Sequence, residues 1–317
     1  APPVKETLTL RIGRVSTRGV SSGLQTSRSV AVKLGVVFPQ TEIGADPDVV
    51  ARFATTAESL GYDHLIAYDH VLGAGTASRP DWSGPYTSES MFHEPFVLFG
   101  YLGAITSTLE LVTAVIILPQ RQTALVAKQA SSLDVLTRGR LRLGIGTGWN
   151  AVEYEALGES FTNRGARSEE QIDVMRKLWA DDVISYEGKW HTITDAGLNP
   201  LPARQIPIWL GGMAPQVIDR VARLADGWFP FFNQGLEEQL KKVHEGATAA
   251  GRNPDDIGIE VITPLGNADG KTLDQLKKLR DMGVSHSAVV TMNVGLSGDE
   301  HVDAIKRFWD VAGSIID

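Results

Sequence analysis

The chain has 317 residues, of which 43% are hydrophobic, and a formal net charge of −8 at pH 7. This length is typical of one (β/α)₈ barrel domain, and the negative charge argues against a nucleic-acid or anionic-membrane partner. The chain has no cysteine, which excludes disulfides and thiolate metal sites and agrees with a reducing, cytoplasmic location.

Residues 1–31 differ from the rest of the chain. They contain one acidic residue, Glu6, and five basic residues among many Ser and Thr residues. This composition is typical of a poorly ordered extension and contains no apolar region of a secretion signal. We therefore expect an N-terminal extension over residues 1–31 and a single folded domain over residues 32–317.

From residue 32 onward, short β-rich runs alternate with amphipathic helices, as in stacked βα units. The first helix illustrates the end signals, because Asp46-Pro47 precedes its apolar stripe and Gly61 follows it. The pattern predicts eight barrel strands, at residues 32–39, 64–68, 109–119, 140–147, 206–211, 227–231, 257–262 and 287–292. It predicts helices at residues 47–60, 94–106, 124–136, 168–179, 215–224, 237–250, 272–282 and 302–316.

Residues 183–193 interrupt this alternation. They have period-2 character around Glu187-Gly188, which predicts a β-hairpin inserted between strands 4 and 5. Eight strands favour a closed barrel, because an open doubly wound sheet would leave the first and last runs as unpaired edges. The predicted fold is therefore a (β/α)₈ TIM barrel with a β-hairpin insertion.

In such barrels the loops after the strands form the active face. This rule selects Asp69-His70, residues 114–117 with the nearby Arg121, residues 146–150, and residues 211–214. It also selects Pro39-Gln40 and residues 228–231. The polar loop of about twenty residues after His70 is too long for a simple connection, so we interpret it as a lid or substrate loop.

Two of the selected segments are glycine-rich turns before helices, at residues 144–148 and 211–214. Their backbone N–H groups can approach an anion at a helix N terminus, although barrel turns are also glycine-rich for tightness alone. Neither turn is a GxGxxG fingerprint with a following acidic residue, which disfavours a Rossmann NAD site.

His70 directly follows a strand, where an imidazole can donate or accept a proton beside a cofactor ring. The alternative is a structural histidine at a strand end, and His93 is a weaker candidate for the same role. Structural or solvated roles suffice for the remaining histidines, at positions 64, 191, 244, 286 and 301. Asp69-His70 lacks further ligands at a recurring spacing, HExxH and GxSxG are absent, and we therefore expect no metal site and no GxSxG hydrolase.

Residues 32–317 resemble the luciferase-like monooxygenase superfamily, in its branch of F420-dependent oxidoreductases. The matching segments are residues 68–71 (YDHV), 112–115 (VTAV), 118–119 (LP), 127–129 (AKQ), 133–136 (LDVL), 139–140 (GR), 143–150 (LGIGTGWN), 153–158 (EYEALG), Phe161, 164–167 (RGAR), 206–212 (IPIWLGG) and 225–228 (ADGW). Their order and spacing make the match specific.

The resemblance implies a deazaflavin, coenzyme F420, or alternatively FMN, lying across the barrel mouth. It implies a cis peptide bond at Ala114–Val115 behind the ring, and it implies that His70 and Asp69 are catalytic. It also implies cofactor contacts for a larger set, namely Asp69, His70, Thr113, Ala114, Val115, Ile117, Gly146, Thr147, Gly148, Trp149, Asn150, Gly211, Gly212, Met213 and Ala214.

The chain departs from family members that act on sugar phosphates. Those members carry a Glu after the fourth-strand GTG and a Trp shortly after the Asp-His pair, where this chain has Trp149 and Ala74. The resemblance therefore does not extend to glucose-6-phosphate-type dehydrogenation, and Trp149 indicates a more apolar substrate pocket. Arg121, Arg164 and Arg167 either meet the anionic cofactor tail or form structural ion pairs.

The resulting hypothesis is an oxidoreductase that transfers hydride between C5 of F420 and a small organic substrate. Two alternatives stay open on the same scaffold, an FMN-dependent luciferase-like monooxygenase and a non-enzymatic flavin-binding protein. A homodimer is an expectation that comes from the family alone.

Overall fold

The computed structural model describes residues 32–265 and 270–316, so the predicted extension over residues 1–31 lies outside the described residues. The strands are β1 (Lys33–Val37), β2 (His64–Ala67), β3 (Glu110–Thr113), β4 (Ile116–Ile117), β5 (Leu141–Gly146), β6 (Ile184–Glu187), β7 (Thr192–Ala196), β8 (Ile208–Gly211), β9 (Gly227–Phe229), β10 (Gly258–Pro264) and β11 (His286–Val290). The helices are α1 (Pro47–Leu60), α2 (Pro95–Ile105), α3 (Thr123–Leu136), α4 (Ala151–Ala156), α5 (Arg164–Ala180), α6 (Pro215–Leu224), α7 (Leu236–Ala249), α8 (Gly270–Asp281) and α9 (Asp299–Ile316).

The parallel strands close into a barrel. Their order around it is β3-β2-β1-β11-β10-β9-β8-β5, and β5 pairs back with β3. The closing register places Leu111 opposite Leu141 and Val112 opposite Arg142. The eight-stranded (β/α)₈ barrel predicted from the sequence is therefore confirmed, because the first and last predicted runs pair with each other as β1 and β11.

The third predicted strand, at residues 109–119, is not continuous. It divides into β3 and β4, and the cis peptide bond Ala114–Val115 lies between them. The cis bond predicted from the resemblance is therefore confirmed, and the single strand is wrong in its length. After the break, β4 pairs with the outer half of β5 through Ile116 and Ile145. We call residues 114–115 the bulge.

The hairpin insertion is confirmed by the antiparallel pairing of β6 with β7, which extends to Ala196 rather than ending at residue 193. Helix α4 was not predicted. It is six residues long, too short for an apolar period to be visible in the sequence. Helix α4 begins after Asn150, because the Asn150 side chain caps it by accepting a hydrogen bond from Val152 N at 3.1 Å.

The helix ends follow the local signals in the sequence. In α1 the Asp46 side chain accepts from Asp48 N, Pro47 occupies the first turn, and Gly61 ends the helix with φ of 100°. The buried face of α1, including Phe53, packs in the main core between the helices and the barrel. None of the helices in the described part of the chain is long and apolar enough to span a bilayer.

Candidate active site

A cavity of 640 Å³ opens at the carboxyl ends of the barrel strands. The sequence predicted a site here, because the loops after the strands of such barrels form the active face. Most of the residues predicted to contact the cofactor lie together at this cavity. The predicted residues that line the cavity are Asp69, His70, Ala114, Val115, Ile117, Gly146, Thr147, Gly148, Trp149, Gly211, Gly212, Met213 and Ala214.

Two of the predicted cofactor contacts, Thr113 and Asn150, are not among the lining residues. Thr113 is buried and its hydroxyl donates to the carbonyl of Gly144 at 2.7 Å, which ties β3 to β5. Asn150 is buried as the N-cap of α4. Both side chains therefore support the cavity wall from behind.

Asp69 fixes the chain just beyond the bulge. Its Oδ2 accepts from Ile117 N at 3.0 Å, and its Oδ1 accepts from Arg121 Nη2 at 2.8 Å. Arg121 also donates to Glu94 at 2.9 Å. Burial raises the pKa of the Asp69 carboxyl, and the nearby Arg121 charge opposes that shift. Because both oxygens are used inside the protein, Asp69 orients the backbone beside the bulge.

His70 lies in the wall of the cavity and is paired with a buried carboxylate. Its Nδ1 is 3.1 Å from Oε1 of Glu153, and the two side chains are 11% and 1% exposed. With Glu153 ionised, this contact places a proton on Nδ1. The ring nitrogen that remains for a ligand is then Nε2.

Glu153 lies in one of the segments that match the family, at residues 153–158, but the sequence alone assigns no role to its side chain. Its Oε1 also accepts from Val71 N at 2.9 Å, and its Oε2 accepts from Gln120 Nε2 at 3.3 Å. Burial by itself raises the pKa of Glu153, but the bonds and charge of His70, with the bond from Gln120, outweigh it and hold the pKa below its ordinary value. The carboxylate is therefore the fixed negative partner of the imidazole.

Aromatic rings surround the exposed side of His70. The ring centroids of Tyr86, Phe92 and Trp149 lie 4.7, 4.8 and 5.7 Å from that of His70. Tyr86 and Phe92 belong to the long loop that was interpreted as a lid or substrate loop, and Tyr86 lines the cavity. We call His70 with these three rings the aromatic box.

The two glycine turns are close to the bulge. A Cβ on Gly146 would lie 2.5 Å from Cγ2 of Val115, and one on Gly211 would lie 2.8 Å from Cγ1 of the same residue. These glycines are thus needed for close packing. This agrees with the second explanation from the sequence, in which the turns are glycine-rich because they are tight. Gly212 has φ of 120°, and helix α6 follows with no side chain capping its N terminus. Because Pro215 has no N–H and Val217 N donates to the carbonyl of Ala214 at 2.8 Å, the N–H groups that this turn can offer an anion are those of residues 212–214 and of Gln216.

An ionic network lies under the cavity, inside the barrel. Glu260 lines the cavity, is fully buried, and is 2.5 Å from both His64 Nε2 and Arg142 Nη1. Burial alone raises the pKa of Glu260, but the charges of His64 and Arg142 dominate and lower it far below its ordinary value. Burial, together with the charge of Arg142, lowers the pKa of His286 to about 2. At the floor of the cavity, the negative charge of Glu260 is therefore already paired inside the protein with His64 and Arg142.

The three arginines considered for the cofactor tail lie elsewhere. Arg121 pairs with Asp69 and Glu94, and Arg167 pairs with Glu159. Arg164 donates to the carbonyl of Phe161 at 2.7 Å and stacks over its ring. None of the three is among the residues that line the cavity, so their positions fit the structural alternative.

Comparisons with known proteins agree with the sequence match. A family model described as luciferase-like monooxygenase matches residues 28–280. An uncharacterized protein of Mycobacterium tuberculosis is 34% identical over 78% of this chain and 86% of the relative. An F420-dependent glucose-6-phosphate dehydrogenase of Mycolicibacterium gilvum is 31% identical over 84% of this chain and 81% of the relative.

Other similar proteins carry different names. An FMNH2-dependent dimethylsulfone monooxygenase of Pseudomonas fluorescens is 29% identical over 73% of this chain and 58% of the relative. Among solved structures, an F420-dependent secondary alcohol dehydrogenase in complex with an F420-acetone adduct covers 90% of this chain and 99% of its own, with a TM-score of 0.75 and 18% identity. The family model and the relatives that are at least 30% identical place this chain in the luciferase-like monooxygenase family.

Proposed function

We propose that the protein is an F420-dependent oxidoreductase that transfers hydride between C5 of the deazaflavin and a small organic substrate. The observation that carries the proposal is the cavity at the strand ends, with the bulge on one wall and the paired His70 on another. The relative named as an F420-dependent dehydrogenase supports the choice of cofactor.

The residues present fit such a cofactor. A volume of 640 Å³ is in the range of pockets that enclose a drug-sized ligand, and apolar side chains of Val115 and Ile117 line it beside the bulge. Gly211 and Gly212 have no side chain to block a phosphate, and the backbone N–H groups of residues 212–214 and of Gln216 would be the donors to it. The backbone of this turn would hold the phosphate end without a lysine or arginine.

When bound, F420 supplies a two-electron hydride donor or acceptor, and the protein supplies position and proton control. His70 is the residue that we assign to proton transfer at Nε2, because Nδ1 is committed to Glu153. Asp69 has both carboxylate oxygens occupied and is a positioning residue for the bulge. The aromatic rings around His70 exclude water from the proton-transfer site.

Two cofactor titrations distinguish the main alternative, an FMN-dependent monooxygenase. Purified protein is titrated with F420 and with FMN, and each binding curve is followed by absorption and fluorescence. We expect saturable binding of F420 that is tighter than that of FMN. Tight FMN binding with none for F420 would reject the proposed cofactor.

Single-turnover kinetics test the enzymatic role against the alternative of a non-enzymatic flavin-binding protein. Reduced F420 on the protein should be oxidised by an organic acceptor faster than free cofactor. His70→Ala should lower this rate roughly a hundredfold with cofactor affinity mostly kept, because it removes a general acid or base. The exposed His244→Ala on α7 is the matched control. Equal rates in His70→Ala and the unmodified protein would remove His70 from the mechanism.

A further inference from the structure

We infer that the substrate is an uncharged, largely apolar molecule with a flat ring, seated in the aromatic box. The inference rests on the proposed function, because it concerns the substrate side of the same cavity. It starts from the charges around the cavity and from the rings beside His70.

Within residues 32–265 and 270–316, the cavity offers no lysine or arginine as a counter-charge to an anionic substrate, whereas the carboxylates of Asp69, Glu153 and Glu260 line it. Each carboxylate is already paired inside the protein, with Arg121, with His70, and with Arg142 and His64 respectively. A phosphate or carboxylate on the substrate would therefore lose its hydration and meet only neutral or negative groups.

The aromatic box instead presents ring faces and edges. Trp149 lies 5.7 Å from His70 and 5.8 Å from Trp82, measured between ring centroids. Centroid separations of about 4.5–7 Å are those at which aromatic rings attract one another. These rings are therefore already packed on one another. A flat substrate ring that packs from the cavity against Tyr86 and Trp149, which both line it, gains apolar burial and ring contacts next to His70.

The long loop that forms the roof of the box is held in place. Trp82 donates from Nε1 to the carbonyl of Tyr86 at 3.0 Å, and a Cβ on Gly84 would lie only 2.5 Å from the Trp149 ring. The loop backbone therefore packs directly on Trp149. At the rim, Trp149 remains 42% exposed and Phe231 71% exposed. Exposed apolar side chains grouped at a cavity mouth are typical of a binding site for an apolar ligand.

The box is separate from the turn to which we assign the cofactor phosphate. His70, Tyr86 and Phe92 of the box follow β2, whereas Gly211 ends β8 and Gly212 follows it. In the barrel order, β2 and β8 are separated by β3 and β5, and only Trp149 follows a strand, β5, that pairs with β8. The His70 side of the box thus lies on a different wall of the cavity from the turn that we assign to the anionic cofactor tail.

The experiment compares ligands that share a ring and differ in charge. Binding of 2-acetylnaphthalene, 2-naphthoate and glucose 6-phosphate to the cofactor-loaded full chain is measured by isothermal titration calorimetry. We expect 2-acetylnaphthalene to bind more than about a hundredfold tighter than 2-naphthoate, because an unpaired buried carboxylate is costly. We expect glucose 6-phosphate not to bind. Equal or tighter binding of either anion overturns the inference.

A pair of variants tests the box itself. Trp149→Ala should weaken 2-acetylnaphthalene binding roughly tenfold through lost ring contacts. Trp190→Ala, in the hairpin away from the cavity, should leave it unchanged. Cofactor affinity is measured separately for both variants, and a loss of cofactor affinity equal to the loss of naphthalene affinity in Trp149→Ala overturns the assignment of Trp149 to the substrate side.

The two proposals can fail separately. If the chain binds FMN and not F420, the same three ligands are compared on FMN-loaded protein. A preference for the neutral ring there supports the inference although the cofactor proposal has failed. An absence of preference on protein that binds F420 tightly overturns the inference alone.

Discussion

Glu153→Gln is expected to slow single turnover. The pKa of Glu153 lies below its ordinary value, so the carboxylate is ionised through the neutral range and its contribution is lost only as the pH falls through that lowered pKa. Over that range its Oε1, 3.1 Å from Nδ1 of His70, accepts a charge-assisted hydrogen bond that fixes the ring and leaves Nε2 for a ligand. The glutamine keeps the shape and an acceptor oxygen but removes the charge. His70 should therefore be held less firmly in the variant.

The size of the change follows from the contact. A hydrogen bond to a charged group contributes about 1.5–3 kcal/mol, and one between neutral groups about 0.5–1.5 kcal/mol. With the hydrogen bond kept by the amide, we expect a loss of about 1.4 kcal/mol, which lowers the single-turnover rate roughly tenfold.

The assay is stopped-flow oxidation of reduced cofactor on the protein at about pH 7, where Glu153 is ionised because its pKa is lowered. Glu155→Gln is the matched control, because Glu155 is exposed on the same helix. Glu153→Asp keeps a carboxylate and should keep the rate closer to that of the unmodified protein. If Glu153→Gln leaves the rate unchanged, or Glu153→Asp lowers it as much as Glu153→Gln does, the charge of Glu153 does not act through His70 and the reasoning fails.

Two further predictions concern the barrel beneath and beside the cavity. Arg142→Met should lower the free energy of unfolding by about 3–5 kcal/mol in urea titration, because it leaves the buried Glu260 without its arginine partner. The double variant Arg142→Met/Glu260→Met should recover part of that loss, and a double variant less stable than the single one would refute the pairing. Gly146→Ala should weaken cofactor binding roughly tenfold, because its Cβ would displace Val115. Gly75→Ala, where a Cβ meets nothing within 4 Å, is the control, and unchanged affinity in Gly146→Ala would show that Val115 does not position the ring.

The barrel could be predicted because each of its strands is a separate apolar run between strong helix signals. Gly61, for example, ends α1 with a positive φ that glycine adopts readily, so a single residue in the sequence predicts where the helix ends. The break inside residues 109–119 has no such mark. Its apolar and β-branched composition is the same on both sides of the bulge, and the cis bond was predicted only from the family resemblance.

The cavity residues could be predicted from their place after the strands, but their partners could not. Glu260 meets His64 and Arg142 across 196 and 118 residues of sequence. Glu153 reaches His70 across 83 residues, from a helix too short to predict. Such pairs depend on which strands become neighbours around the barrel, which local propensity does not encode. A carboxylate inside an apolar strand, as at Glu260, is the one signal that could have been noticed.

The interior of the barrel explains why we assign proton transfer to the wall of the cavity and not to its floor. Gly35 and Gly227 have no Cβ, and a Cβ there would lie 2.2 Å from His64 or Trp209. These small residues make room for large polar and aromatic side chains inside the barrel, where Arg142 stacks 4.3 Å above Trp209 and binds Glu260. The floor carboxylate is thereby held in its ionised form by two partners. At the wall, His70 has one nitrogen committed to Glu153 and the other left for a ligand, and we therefore assign proton transfer to it.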